Sequence, residues 1–373
     1  PLMPTDPDTI FMQGSFITGT ASTWLLPPTG NKVAVAYIGA GVRTGHEDLG
    51  PGLLRGYDFC ADNECASTDD DVSKNVDTSN TYPYILAQGT NAIGPLVAIS
   101  NNGLGAGNIA GNHEPFIEVL PLKVINVEPR YLTPEVPDLP HFAGTPEALL
   151  NAFTYALGEI PDGIDDLPTR EAVDIIYLDT MQFRNPIPDV PGEDFPAPTP
   201  EQIERLHELF QLAVEKDVLI ISSATHLVEE MTPGIERPFA QVASNYLEQI
   251  LPVFEWTDVT YPHLQLDSYN VDTGPSDVHL NLNTGETIWG GYSGSFTDTT
   301  ITGLAATMKH HRPELGGREI RRLLIENSYH HSEESQENSR FARVDSALGL
   351  PGPGDAVTVT LKNSQGDIIE QHE

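Results

Sequence analysis

The residue with the clearest chemical potential in this chain is Ser295. It lies in residues 292–296 (Tyr-Ser-Gly-Ser-Phe), just before an apolar run, residues 301–306 (Ile-Thr-Gly-Leu-Ala-Ala), that predicts a buried helix. A serine hydroxyl becomes a good nucleophile only when a neighbouring base takes its proton. In a catalytic triad that base is a histidine, and an aspartate fixes its tautomer and stabilises its cation. Ser295 therefore suggests acyl-transfer chemistry, provided that such partners are present.

Two earlier parts of the chain carry related motifs. Residues 35–41 (Val-Ala-Tyr-Ile-Gly-Ala-Gly) are an apolar run that ends in a tight turn, and residues 46–49 (His-Glu-Asp-Leu) follow it. Further along, residues 88–91 (Gln-Gly-Thr-Asn) precede the glycine-rich residues 101–105 (Asn-Asn-Gly-Leu-Gly). With the serine segment, the order and spacing of these motifs resemble those of the subtilisin-like serine proteases, the subtilases.

The resemblance assigns one position to each member of the triad. The aspartate position falls on Gly39, the histidine position on Gln88, and the serine is retained as Ser295. Glutamine cannot accept a proton near neutral pH, and glycine has no side chain. Residues 32–45 contain no aspartate and residues 47–112 contain no histidine, so a small shift of the alignment supplies neither. The resemblance thus implies a protease scaffold without protease chemistry.

The same resemblance implies changes in the substrate cleft. The oxyanion asparagine of subtilases corresponds to Thr225, whose shorter side chain must be placed differently to donate. The strand that pairs with substrate and normally ends Asn-x-Ser-Leu-Gly here reads Tyr177-Leu178-Asp179-Thr180-Met181. We expect the tyrosine and the methionine in this stretch to crowd the cleft.

Two other interpretations of the site stay open. His226, Asp179 and Asp298 fall on segments that surround the cleft in subtilases, so they could form a rebuilt site with Ser295, or each could be an ordinary polar residue. A genuine serine endopeptidase stays an alternative if the alignment is wrong. The acid-active sedolisins are excluded, because residues 88–92 contain no carboxylates.

The elements that must position these residues alternate along the chain. Thr145-Pro146 and Thr199-Pro200 open helical patterns, the second with Gln202 as a capping box. Strands alternating with helices predict a three-layer α/β fold with a mostly parallel central sheet, as in subtilisin. Short apolar runs predict buried strands at residues 32–37, 120–126, 173–178 and 218–222. Proline-rich or polar stretches without a clear period predict surface loops at residues 128–140, 186–198 and 255–275.

The domain organisation changes near residue 350. We assign residues 1–350 to a subtilisin-like domain. Residues 351–354 (Pro-Gly-Pro-Gly) break the pattern, and residues 357–361 (Val-Thr-Val-Thr-Leu) alternate like a strand. Residues 351–373 are therefore predicted to be a C-terminal β extension, either a hairpin or the start of a truncated module.

The composition excludes several classes of function. The chain has 54 acidic and 19 basic residues and a net charge of −35, which repels nucleic acid and anionic membranes and favours cationic partners. The charge could also serve solubility alone. There is no phosphate-binding loop, no dinucleotide fingerprint and no apolar run long enough to span a bilayer.

Cys60 and Cys65 lie in one acidic loop. A short-loop disulfide fits better than a metal site, because no second Cys/His pair is nearby, although two free thiols stay an alternative. A disulfide would imply an oxidising compartment, and we expect an extracellular protein whose signal peptide has been removed.

A metal is not required by any of these motifs, and no cofactor is expected. Asp69, Asp70 and Asp71 could hold calcium, which subtilases often bind in loops, or could simply be solvated. The pairs at 310–311 and 330–331 are not predicted to form a joint metal site, because adjacent histidines on a helix point in different directions.

The sequence therefore predicts a catalytically inactive subtilase homologue that binds a peptide or protein partner or serves a structural role. The alternatives are a repurposed hydrolase that uses Ser295, or a protease whose triad is elsewhere.

Overall fold

The computed structural model of the protein describes most of the predicted elements. The described residues are 4–6, 19–46, 48–61, 65–73, 88–104, 107–111, 114–130, 139–179, 199–222, 278–281, 286–289, 295–327, 343–350, 359–362 and 368–372. All four predicted apolar strands are present, and they belong to one sheet.

Five parallel strands form the centre of the fold in the order β2–β3–β1–β5–β6. Their bounds are Val33–Ala40 (β1), Tyr57–Asp58 (β2), Ile117–Arg130 (β3), Ile175–Leu178 (β5) and Leu219–Ser222 (β6). Parallel strands joined through helices need both faces covered. β1 is an inner strand, because it has a parallel neighbour on each side, β3 and β5.

Helices cover both faces of the sheet. Their bounds are Thr20–Thr23 (α1), Gln88–Val97 (α2), Pro146–Ala156 (α3), Pro200–Glu215 (α4), Ser295–His311 (α5), Gly317–Glu326 (α6) and Val344–Ala347 (α7). In β1, Val35 and Tyr37 pack with α2, α5 and α6, whereas Ala36 and Ile38 pack with α3 and α4. This alternation produces the three-layer α/β fold that the sequence predicts.

The predicted helix starts at Thr145 and Thr199 are confirmed. The Thr145 side chain accepts a hydrogen bond from the amide of Ala148 at 3.2 Å. Thr199 and Gln202 form a complete capping box, with reciprocal bonds of 3.3 and 3.0 Å. Each cap satisfies backbone donors that the first turn of a helix leaves unpaired.

The loop predicted at residues 128–140 is only partly correct. β3 continues to Arg130, and β4 (Leu139–Gly144) pairs with it antiparallel from Ile125↔Gly144 to Arg130↔Leu139. Proline is tolerated here because, among the described strands, β4 pairs only with β3 and lies at an edge. The other two predicted loops, 186–198 and 255–275, lie outside the described residues.

Two further hairpins complete the described elements. One consists of β7 (Val278–Asn281) and β8 (Glu286–Trp289), and the other of β9 (Val359–Lys362) and β10 (Ile368–His372). β9 confirms the strand predicted near the C-terminus. The domain boundary at residue 350 stays a prediction. Among the described helices, none has both the length and the apolar character needed to cross a membrane.

A buried ion pair joins β2 to β3. Lys123 is 2% exposed and its Nζ donates to Asp58 Oδ2 at 2.5 Å and to Asn126 Oδ1 at 2.6 Å. Burial raises the pKa of Asp58 to about 6, although the Lys123 ammonium acts in the opposite direction. When two charges are buried in this way, the stability of the fold depends strongly on the presence of both partners.

Removal of one partner of this pair should therefore lower the free energy of unfolding strongly. We expect Lys123→Met to lower the free energy of unfolding by about 3–5 kcal/mol, because Asp58 stays buried without its counter-ion. Urea unfolding followed by tryptophan fluorescence measures this change. The double variant Asp58→Asn/Lys123→Met should regain most of the loss, since it contains neither charge. A double variant no more stable than Lys123→Met would contradict this account.

Candidate functional site

The carboxyl end of β1 lies directly against the start of α2. A Cβ atom placed on Gly89 would lie 2.6 Å from the carbonyl oxygen of Ala40 and closer still to that of Gly41. Only glycine permits such an approach of helix backbone to strand backbone. The amide of Arg43 donates to Thr90 Oγ1 at 3.0 Å, which fixes the chain after β1 to the same turn of α2.

Helices α2 and α5 run side by side in the same direction. Thr299 Oγ1 donates to the carbonyl of Ala92 at 2.7 Å, and a Cβ on Gly303 would lie 3.4 Å from Leu96 Cδ2. Thr299 and Ala92 are each the fifth residue of their helices, and Gly303 and Leu96 are each the ninth. The first residues of the two helices, Gln88 and Ser295, must therefore lie at the same end of the helix pair.

The three predicted triad positions are thereby brought to one region of the fold. Gln88 is the first residue of α2, Ser295 is the first residue of α5, and Gly39 is the second-last residue of β1, on which the start of α2 packs. Ligand sites of open α/β folds lie at the carboxyl ends of parallel strands. The candidate functional site is therefore the junction of β1, α2 and α5.

The space beside Gly39 is filled by other side chains. A Cβ on Gly39 would lie 2.6 Å from Tyr37 Oη, 2.8 Å from Tyr37 Cζ and 3.1 Å from Asp179 Cβ. Real Cβ atoms essentially never come as close to other heavy atoms as the two Tyr37 contacts would require, and the contact with Asp179 would also be tight. An aspartate at position 39 would therefore need Tyr37 to move.

Tyr37 is held in this place by a hydrogen bond across the sheet. Its hydroxyl donates to Asp179 Oδ2 at 3.0 Å, and the amide of Asp179 donates to the carbonyl of Ile38 at 3.0 Å. Its ring meets that of Tyr177 edge to face, with centroids 5.3 Å apart, and Tyr177 Oη lies 3.3 Å from Thr299 Oγ1. We call these four residues, Tyr37, Asp179, Tyr177 and Thr299, the tyrosine–aspartate network.

The remaining predicted site residues are partly accounted for. Asp179 is fully buried in the network, so it is not an exposed carboxylate of the kind that a rebuilt cleft would present. Asp298 lies in the first turn of α5, three residues after Ser295. Thr225, His226 and Met181 lie outside the described residues.

The cysteine prediction is confirmed, since Cys60 and Cys65 form a disulfide. The acidic run beside it has other contacts. Asp69 pairs through its backbone with Asp58, Asp70 pairs with Arg55, and Asp71 Oδ1 accepts from the amide of Ser73 at 3.1 Å. Within the described ranges, no three His, Cys, Asp or Glu side chains are grouped to hold a metal. A calcium site at Asp69, Asp70 and Asp71 thus stays an untested prediction.

Tyr37 is a residue of the site that was not predicted from the sequence. The signal was present, because Tyr37 lies two residues before Gly39 and so shares its face of the strand. A large side chain next to a glycine on one face of a strand fills the space that the glycine leaves. It was missed because a tyrosine in an apolar run is also typical of an ordinary core strand.

Comparisons with solved structures agree with this architecture. A protease structure from Pseudoalteromonas arctica is 17% identical, with a TM-score of 0.55, and the match covers 93% of this chain and 99% of that one. The epidermin leader peptide processing serine protease from Staphylococcus aureus is 13% identical, with a TM-score of 0.53, and the match covers 94% and 82% of the two chains. No protein-family model and no curated protein matches the sequence.

These similarities define the fold. Together with the parallel sheet and the paired helices α2 and α5, they establish a subtilisin-like α/β fold. At such low identities they carry no information about activity.

Crowding at Gly39 can be tested by a double-mutant cycle. We expect Gly39→Ala to lower the free energy of unfolding by about 1–3 kcal/mol, because the new methyl group meets the Tyr37 ring. In a Tyr37→Val background the same change should cost much less. The measurement is urea unfolding of the four proteins. Gly45→Ala is the matched control, because a Cβ at Gly45 has no neighbour within 4 Å. Equal costs in both backgrounds would contradict the crowding.

His46, in the segment that follows β1, is a buried neutral histidine. Its Nδ1 accepts a hydrogen bond from the amide of Asp48 at 3.0 Å. Burial, and to a lesser degree the charge of Arg43, lower the pKa of His46 to about 4 from the usual 6.5. The folded protein therefore binds this proton less readily than the unfolded chain does.

This shift predicts acid sensitivity in a defined range. The contribution of His46 to stability is complete above pH 6.5 and is lost progressively as the pH falls from 6.5 to about 4, since the unfolded chain takes up the proton first. We expect the free energy of unfolding to fall less steeply over this range in His46→Asn, whose amide oxygen can still accept from Asp48. His311→Gln, at a half-buried histidine, is the control. Parallel pH profiles for wild type and His46→Asn would exclude this role.

Proposed function

We propose that the protein is a non-proteolytic member of the subtilisin-like fold that binds a peptide or protein partner without cleaving it. The observation that carries this proposal is the filled space beside Gly39. Tyr37 and Asp179 occupy the room that an aspartate side chain would need at that position. The site therefore differs from a protease site by more than one exchanged residue.

The chemical consequence of these substitutions is large. In subtilisin, loss of the serine or the histidine of the triad lowers turnover by about a million-fold. With glutamine at position 88 and glycine at position 39, Ser295 has neither a base nor a carboxylate from the usual positions. The burial of Asp179 in the tyrosine–aspartate network also counts against its use as an exposed replacement.

A binding role is supported by what the scaffold retains. The junction of β1, α2 and α5 keeps the tight backbone packing that places the first residues of both helices at one end. Such a preorganised surface can hold an extended segment without any chemistry. The net charge of −35 favours a partner that is cationic or neutral. The disulfide supports an extracellular or other oxidising location.

The proposal is tested by reaction with a fluorophosphonate serine probe and by hydrolysis of a broad peptide library. We expect no labelling and no cleavage by the wild-type protein, and the same result for Ser295→Ala. An active subtilisin treated in parallel shows that probe and library work. Labelling of the wild type that disappears in Ser295→Ala would overturn the proposal and favour a rebuilt hydrolase.

Binding is measured with the same pair of proteins. A peptide selected from a displayed library by the wild-type protein should bind Ser295→Ala with unchanged affinity, because a binder does not use the hydroxyl as a nucleophile. Absence of any selected peptide in the presence of a folded protein would count against a peptide-binding role and leave the structural one.

A further inference from the structure

The disulfide closes a short hairpin that begins in β2, the first strand in the order of the five parallel strands. Asp58 and Asp69 exchange backbone hydrogen bonds of 2.8 and 3.0 Å, and the amide of Ala61 donates to the carbonyl of Ser67 at 3.0 Å. The Cys60–Cys65 bond joins the two arms. We call the described arms, residues 58–61 and 65–69, the disulfide hairpin.

The disulfide hairpin supplies two of the acceptors that surround the buried ammonium group of Lys123. These are Asp58 Oδ2 at 2.5 Å and the carbonyl oxygen of Cys60 at 3.2 Å. The amide of Cys60 also donates to Asp58 Oδ1 at 2.8 Å, which orients the carboxylate. Since a buried ammonium needs its counter-ion, the position of Lys123 depends on the order of this hairpin.

Lys123 connects the hairpin to the candidate functional site. In the sheet, Asp58 is the neighbour of Lys123 on one side and Gly39 is its neighbour on the other. The amide of Phe59 donates to the carbonyl of Lys123 at 2.8 Å, and the register between β1 and β3 shifts between Gly39 and Ala40. Adjacent strands are about 4.8 Å apart, so the hairpin lies about 10 Å from Gly39.

The two sulfur atoms have unequal environments. Cys60 is fully buried, whereas Cys65 is only partly buried and packs at the margin of the core. Cys65 also has a φ of 49°, in the left-handed region that non-glycine residues rarely adopt. The backbone at Cys65 therefore adopts a conformation that is unfavourable for a residue with a side chain.

We propose that the Cys60–Cys65 disulfide is a redox switch that controls the order of the candidate site through Lys123. A dithiol reductant attacks Cys65 through one thiolate, and the bond between Cys60 and Cys65 breaks. The second thiol of the reductant then displaces Cys65, which leaves two cysteine thiols in the protein and a disulfide in the reductant. Two electrons and two protons pass to the protein. The freed hairpin loses its hold on Lys123, and the ends of β3 and β1 loosen with it.

The test is amide hydrogen exchange of the full chain in its oxidised form and after reduction by dithiothreitol. We expect exchange to become faster by about tenfold or more in peptides that cover 57–73, 117–126 and 33–41, with no change in α3 and α4. The thermal midpoint should fall by a few degrees, on the order of 5 °C, as expected for loss of a short closed loop.

A matched variant separates the switch from side effects of the reductant. Cys60→Ala/Cys65→Ala should reproduce the exchange pattern of the reduced protein and should not respond to dithiothreitol. If this variant does not fold, reduction of the wild type alone still decides the matter. Faster exchange confined to 57–73 would overturn the proposal, because the bond would then stabilise only the hairpin. No change on complete reduction would also overturn it, because the bond would then have no effect on the order of the chain. The outcome is independent of whether the site binds or cleaves a peptide.

Discussion

The close approach of α2 to the carboxyl end of β1 is the constraint on which the candidate site depends. Gly89 allows the helix backbone to lie on the carbonyl oxygens of Ala40 and Gly41, and Thr90 fixes the following chain to the same turn. α5 is then aligned with α2 through the bond from Thr299 to Ala92. A larger residue at position 89 would separate strand and helix, and the first residues of the two helices would no longer lie beside the end of β1.

Under the proposed function, the tyrosine–aspartate network places packed side chains where a protease would hold its catalytic aspartate. A catalytic carboxylate is usually held in a costly, partly desolvated position, and its loss often stabilises a protein. Here a tyrosine hydroxyl and a carboxylate that follows β5 bond to each other across the sheet beside Gly39. The Tyr37 hydroxyl and Asp179 Oδ2 are both buried, and each is the hydrogen-bond partner of the other, so neither of these two atoms carries the cost of a buried polar atom without a partner.

Much of the framework could be predicted from the sequence, because it depends on local rules. Thr145 and Thr199 predict helix starts through their caps, and the apolar runs predict parallel strands through length and composition. A disulfide between Cys60 and Cys65 is favoured over a metal site because no second Cys/His pair is nearby, and it is present. What could not be predicted depends on contacts between distant residues. The bond from Tyr37 to Asp179 joins residues 142 apart, and the pairing of β4 with β3 overrides the loop character of a proline-rich stretch.

The buried Lys123 raises the question of why a sheet would keep a charge in its interior. Two apolar residues would usually serve stability as well or better. An ion pair differs from them in being directional, since its ammonium donates hydrogen bonds to Asp58, Cys60 and Asn126. Lys123 is also the sheet neighbour of Gly39, so its backbone lies beside the end of β1. In the proposed switch, a charge at this point specifies the geometry of the site from the neighbouring strand, a role that apolar side chains could fill less selectively.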